Sequence, residues 1–211
     1  MSASIFSPLR AWAAESRTVK EWRERRFRLF EELCSLQPAD RIVDIGAGWG
    51  AALERFNDVN PIVAIDLRPD ASSPWLSTPN VTVLEGDGTR LPFAESEFDV
   101  AFSNSVIEHV PRELQPAFAA EVRRVARRYW VQTPNRYFPI EPHYQLPFFQ
   151  FLPEAVRRRL NAKWTLGWQA KGQWEEITLL GERDLRRLFP DAEIHRERVL
   201  GLTKSLIAVR R

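Results

Sequence analysis

The chain has 211 residues, enough for one α/β domain with a full core and short for two. Lys plus Arg number 30 against 28 Asp plus Glu, a formal net charge of +2 that gives no strong pull toward nucleic acid. The single cysteine, Cys34, excludes an intrachain disulfide and an all-cysteine metal site, and no run approaches the roughly 18 apolar residues of a membrane span, so a cytoplasmic protein is expected.

Residues 18–36 place Trp22, Phe27, Phe30, Leu33 and Cys34 on one stripe, which predicts a packing helix stopped by Pro38. Residues 1–38 are read as an N-terminal helical cover. Strands are predicted at 42–45, 61–67, 81–85, 98–103 and 129–133, with a helix at 50–56 after the first of them. Residues 111–125 carry Leu114, Phe118, Val122 and Val125 at spacings of four and three, the signature of one helical face, while Pro116 predicts a kink or a separate first turn.

Beyond Thr133 the alternation of strand and helix fails. Residues 134–176 hold five prolines and three of the eight tryptophans, an aromatic density that argues for an ordered insertion, a lid over a substrate site. A helix at 182–189 and two strands at 193–199 and 204–210, separated by Gly201, then close the chain. The pattern is that of a single α/β domain over 1–211. It is a doubly wound, mostly parallel, seven-stranded Rossmann-like sheet with helices on both faces, the last strand antiparallel, and an aromatic, proline-rich insertion after the fifth strand. Arginines cluster at 123–124, 127–128, 157–159 and 186–187, where solvated helix faces are expected.

The run RIVDIGAGWGAAL, residues 41–53, puts Gly46, Gly48 and Gly50 at the first strand-to-helix turn, where open parallel sheets bind ligands. Glycines there let backbone N–H groups approach a bulky group closely. A dinucleotide pyrophosphate asks for GxGxxG, and the spacing here is GxGxG with an acid, Asp44, two positions before Gly46. A carboxylate repels phosphate and attracts a cation, so the ligand is expected to be positive where it meets this loop, which disfavours an NAD-dependent dehydrogenase.

DIGAGWG, followed in order by AIDL (64–67), GDGTRLPF (86–93) and FDVAFSNSVIEHV (98–110), resembles the class I S-adenosylmethionine-dependent methyltransferase family, in the subgroup of quinone-biosynthesis-like small-molecule methyltransferases. The resemblance implies S-adenosylmethionine as cofactor, with S-adenosylhomocysteine as product. It implies a cofactor site of Asp44, Gly46, Ala47, Gly48, Asp66, Leu67, Asp87, Gly88, Thr89, Asn104 and Ser105. In that site Asp44 sits near the ammonium end and Asp66, at the end of the second strand, accepts the ribose hydroxyls. Asp87, at the end of the third, accepts from the adenine amino group, and Asn104 and Ser105 lie by the methionyl group. Asp87–Gly88 is also a common turn on its own. Trp49 can flank the cofactor or simply pack.

Methyl transfer from a sulfonium is an in-line displacement that needs alignment and exclusion of water, and no metal-ligand spacing is present. An oxygen or nitrogen acceptor must lose a proton, which a histidine does well near neutral pH. His143 is the candidate base, standing with Glu141 and Tyr144 in FPIEPHYQLPFF, a candidate substrate-binding segment; the alternative is that Glu141 and His143 fasten the lid. His109, in VIEHV, is a weaker candidate, and His195 reads as structural. Residues 147–160, PFFQFLPEAVRRRL, can pack on the domain or contact a membrane surface. The expected partner is a small-molecule acceptor that is apolar, phenolic or of glycan type. An RNA methyltransferase lacks support from the net charge, and a non-catalytic S-adenosylmethionine-binding scaffold would leave the same cofactor signature. Oligomeric state is not legible.

Overall fold

The structure, a computed structural model, describes residues 17–48, 54–69, 77–163, 174 and 176–211. The chain separates into two compact units: Met1–Glu32 with Phe138–Glu175, and Leu33–Tyr137 with Glu176–Arg211.

The second unit is built on a seven-stranded sheet. Its strands are β1 (Ile42–Ile45), β2 (Ile62–Asp66), β3 (Val81–Glu85), β4 (Phe98–Asn104), β5 (Ala126–Pro134), β8 (Glu193–Val199) and β9 (Leu202–Arg210), in the spatial order β3-β2-β1-β4-β5-β9-β8. The first five are parallel, and β9 pairs antiparallel with both β5 and β8. The order reverses between β1 and β4, so the carboxyl end of β1 faces the switch-point crevice of a doubly wound sheet.

The central strands are buried on both faces, as parallel strands are: all four residues of β1 are buried, and Phe102, Trp130 and Ile207 are closed off as fully as Ala101, Val131 and Ala208. Two helices of this unit are α2 (Gln115–Val125) and α4 (Glu182–Leu188). One core joins Val43, Ile45, Ala101 and Val131 of the sheet to Phe118, Val122 and Val125 of α2 and to Leu185 and Leu188 of α4. Pro116 explains the shortened α2: it lies in the first turn, where its missing N–H is one of the helix's unpaired donors anyway, and Leu114 is left at the N-cap, half-exposed.

Several arginines expected on solvated faces tie the unit together instead. The Arg128 guanidinium donates to the carbonyls of Cys34 (2.7 Å) and Ser35 (2.9 Å) and pairs with Asp40 at 2.8 Å. Arg124 donates to the Phe93 and Leu91 carbonyls and to Glu121, whose carboxyl it holds below the usual range. A guanidinium has five donors in a planar fork, which suits it to collecting carbonyls that no ladder satisfies.

The first unit contains α1 (Arg17–Leu33, whose last residue falls in the second unit), α3 (Glu154–Lys163) and a short hairpin of β6 (Ile140–Glu141) and β7 (Leu146–Pro147). On α1 the expected stripe is present at Phe27, Phe30 and Leu33, all buried, continuing into buried Cys34, whose thiol burial pushes up to about 12. The helix ends at Leu33, before Pro38. Among the described residues no helix is long and apolar enough to cross a membrane. The helix expected at 50–56 is described only in its last turn, Glu54–Phe56, a 3-10 helix; Trp49, Gly50 and the side chain of Trp22 lie outside the described residues.

Candidate functional site

The carboxyl ends of β1, β2 and β4 and the turn after β3 bring most of the sequence-predicted cofactor residues to one edge of the sheet. Gly46 and Gly48 both have positive φ, +80° and +55°. At Gly46 this is compounded by space: a Cβ there would lie 2.5 Å from Val106 Cγ1 and closer still to Cγ2. Gly48 is the opposite case, with nothing among the described residues within 4 Å of where its Cβ would be. The first glycine is required by packing against Val106, and the second by its φ.

The loop is anchored to β2. The N–H groups of Gly46 and Ala47 both donate to the Ile65 carbonyl, at 2.8 and 3.2 Å. Gly48 N–H donates to Asp66 Oδ2 at 2.9 Å, and Asp66 Oδ1 accepts from Arg68 N–H, also at 2.9 Å. Asp66 is therefore a clamp across the loop as well as an acceptor at its edge. Leu67, next to it, is 64% exposed, an apolar side chain held in solvent at the same edge.

Asp44 behaves differently from the expectation that it carries charge beside the ligand. It is 1% exposed, and its Oδ2 has no hydrogen-bond partner among the described residues. Burial, seconded by the negative charge of Asp66, pushes its carboxyl up to about 8. The shift is toward the neutral acid, and a cation arriving beside it would draw the proton off.

Asp87 lies two residues beyond the end of β3, which closes at Glu85, rather than at its end. The Oδ1 atom accepts from Thr89 N–H and Thr89 Oγ, both at 2.8 Å, and the backbone bridges to Arg90. This is the turn that the Asp-Gly pair alone suggests. It is pressed onto the core: a Cβ on Gly86 would meet Ile65 at 2.5 Å, and one on Gly88 would meet Phe118 at 2.9 Å. Asn104 ends β4, and Ser105, at φ +57°, donates from its hydroxyl to Gln132 Oε1 at 2.9 Å.

The residues the sequence did not single out are the supports. Val106 fills the Cβ space of Gly46, Ser103 donates to the Ile45 carbonyl at 3.0 Å, and Gln132 holds Ser105. Val106 and Ser103 stand within the quoted run FSNSVIEHV; Gln132 had no local signal. His109 closes the 3-10 turn Ile107–His109, in which buried Glu108 accepts from Thr133 Oγ at 2.9 Å. A separate cleft of about 610 Å³ opens near the end of β5, lined by Asn135, Tyr137, Gly181, Asp184 and Thr203 among others. None of the described residues of the glycine loop lines it.

In the first unit, Glu141 is 3% exposed and spends both oxygens locally: Oε1 lies 2.7 Å from His143 Nδ1, and Oε2 accepts from Tyr144 N–H at 2.6 Å. Tyr144 is buried and its ring lies 4.4 Å from that of Phe149. A carboxylate at Glu141 favours the tautomer of His143 with its proton on Nδ1.

Comparison with known proteins adds to this geometry. Residues 43–129 match the family model described as a methyltransferase domain. An uncharacterized methyltransferase of Mycolicibacterium paratuberculosis is 33% identical over 91 residues, covering 41% of this chain and 34% of that protein. An uncharacterized protein of Mycobacterium tuberculosis is 26% identical over 194 residues, 83% of this chain and 62% of the relative. The chain thus spans about a third to three fifths of the length of the curated relatives it matches. Among solved structures, a Pyrococcus horikoshii protein superposes with TM-score 0.64 at 16% identity over 92% of this chain and 91% of that one. A SAM-dependent methyltransferase of Aquifex aeolicus gives 0.55 at 17% identity over 86% of each. These structural likenesses, both under 25% identical, concern the fold alone. The glycine loop from Gly46 and the acids Asp44, Asp66 and Asp87 all lie within the stretch, residues 43–129, that matches the methyltransferase domain model.

Proposed function

We propose that the second unit binds S-adenosylmethionine at the carboxyl edge of its sheet and that the chain transfers the methyl group to a small-molecule acceptor, apolar, phenolic or of glycan type, with S-adenosylhomocysteine as product. The observation that carries this reading is Asp66. Each of its oxygens accepts one backbone N–H, and a carboxylate oxygen has two lone-pair sites, so each keeps one for a ribose hydroxyl while the backbone bonds fix the direction in which it is offered. Asp44 supports the same ligand: a buried acid whose Oδ2 has no partner among the described residues suits a cationic group and is a poor neighbour for a pyrophosphate.

The bound sulfonium supplies an electrophilic methyl group. The protein's part is to position, to exclude water and to take a proton from the acceptor where it has one. We assign the proton to His143, oriented by Glu141, with His109 as the second candidate. Glu141, His143 and Tyr144 form the acceptor-side segment of this reading, and Phe149, buried against Tyr144, keeps it dry. The small-molecule assignment draws on Arg123, Arg124 and Arg128 of the second unit, which are committed to carbonyls and carboxylates rather than laid out as a basic face.

Isothermal titration with S-adenosylmethionine and S-adenosylhomocysteine tests the cofactor assignment. Wild type is expected to bind both, and Asp66→Ala to lose at least about 1 kcal/mol, the scale of a hydrogen bond to a charged group. Unchanged binding in the variant removes the ribose assignment. Mobility shift of structured RNA persisting at moderate salt would overturn the small-molecule reading.

A further inference from the structure

The first unit sorts its aromatic residues in an unusual way. Across the β6–β7 hairpin and the 3-10 turn Phe149–Phe151, Tyr144 and Phe149 are buried, while Ile140, Phe148 and Phe151 stand 49%, 59% and 48% exposed. These three are neighbours along the backbone bonds: Ile140 pairs with Pro147, Phe148 N–H donates to the Pro139 carbonyl at 2.7 Å, and Phe151 N–H to that of Phe148 at 3.1 Å. Val156, at the start of α3, adds a fourth apolar side chain, 40% exposed.

Phe148 is held at φ +55°, a left-handed conformation that glycine or asparagine adopts with less strain and that a bulky residue rarely takes. The local core does not use its ring, so strain is being tolerated to keep an aromatic side chain in water. Helix α3, immediately following, has four basic residues, Arg157, Arg158, Arg159 and Lys163, against one acid, Glu154. The whole chain has a net charge of only +2, so this positive charge is a local concentration.

Exposed aromatic and aliphatic side chains beside a cluster of arginine and lysine are the composition of a surface that settles into the headgroup region of a bilayer, the rings entering the acyl boundary and the cations remaining with the phosphates. We propose that the surface of Ile140, Phe148, Phe151 and Val156, with Arg159 and Lys163 on the helix face of Val156, docks on an anionic lipid membrane as a peripheral contact. A second copy of the chain suits this surface less well, because apposing two such surfaces brings like charges together. The proposal stands independently of the methyl-transfer reading.

Co-sedimentation of the full chain with vesicles tests it, comparing phosphatidylcholine alone with phosphatidylcholine mixed with phosphatidylglycerol. The expected result is binding to the mixed vesicles, little to phosphatidylcholine, and a decline with added salt. The variant Phe148→Asn/Phe151→Ser is expected to lower partitioning about tenfold. Asparagine takes the left-handed conformation readily, so its helical circular dichroism should match wild type. Arg159→Glu/Lys163→Glu is expected to abolish the preference for phosphatidylglycerol. Equal binding to both vesicle types, unaltered binding by the aromatic variant, or a concentration-dependent dimer in sedimentation velocity that the aromatic variant dissolves would each overturn the proposal.

Discussion

Asp66 reaches back across the turn to Gly48, its Oδ2 accepting the glycine N–H at 2.9 Å while Oδ1 holds Arg68 N–H at the same distance. One side chain thereby fixes both the glycine loop after β1 and the chain leaving β2. The substitution Asp66→Asn replaces one acceptor with a donor that faces a backbone N–H. It is expected to cost about 1–3 kcal/mol of folding stability, read as a lowered urea midpoint at unchanged m-value. If the midpoint does not move, the two bonds do not brace the loop.

Asp44 gives a pH dependence of known sign. Its carboxyl is pushed from an ordinary 3.8 to about 8 in the fold, so between those values the native state holds a proton that the unfolded chain has released. Stability contributed by the neutral acid is full below about pH 4 and is lost as pH rises through about 8, a change on the order of a few kcal/mol. Asp44→Asn should flatten that slope in denaturant titrations across the window. An equally steep loss of stability in the variant would assign the slope to other groups.

A cation bound against Asp44 should also release its proton. Calorimetric titration of S-adenosylmethionine near pH 7 in buffers of different ionisation enthalpy is expected to show up to one proton leaving per site, absent in Asp44→Asn. Equal apparent enthalpies in all buffers would separate Asp44 from the ligand.

The two glycines of the loop should respond unequally to alanine. Gly46→Ala meets Val106 as well as an unfavourable φ of +80°, and is expected to cost about 3 kcal/mol or more, partly recovered by Val106→Ala. Among the described residues Gly48→Ala meets no neighbour and faces only its φ of +55°, so it should cost about 1–2 kcal/mol. Thermal denaturation of the three variants distinguishes these outcomes, and equal losses at both glycines would exclude the packing explanation.

Glu141 is expected to hold His143 as the Nδ1-protonated tautomer, visible in long-range ¹H–¹⁵N spectra. Glu141→Ala should abolish that preference and, by stranding the buried Tyr144 N–H, destabilise the hairpin by about 1–3 kcal/mol. A tautomer ratio that is the same in both proteins would separate Glu141 from the imidazole.

Much of the sheet was legible because its strands are short apolar runs between turn residues: β1, β3 and β8 lie at the residues predicted from pattern alone. The misplacements have long-range causes. β5 begins at Ala126, three residues before the apolar run, because Arg128 finds its partners in residues 34–40, far away in the chain. The β6–β7 hairpin has two-residue strands held largely by Glu141, too little periodicity to read. At the site, the glycines and Asp66 were visible through their spacing, while the roles of the other acids came from the family resemblance. The upward shift of the Asp44 carboxyl was not visible, since it arises from burial that only the folded sheet creates. The Asp66 clamp was hidden likewise, because local sequence does not say which backbone donors a carboxylate will meet.

The chain leaves the second unit after Tyr137 and returns at Glu176, and within that unit the two flanks are already stitched: Asn135 bridges Leu180, and Arg136 N–H donates to the Leu180 carbonyl at 3.0 Å. Entry and exit of the intervening segment are therefore set by the host itself. Such a junction pins both ends of the segment with backbone bonds made by the host strands, so its anchoring does not depend on the length of chain that runs between them.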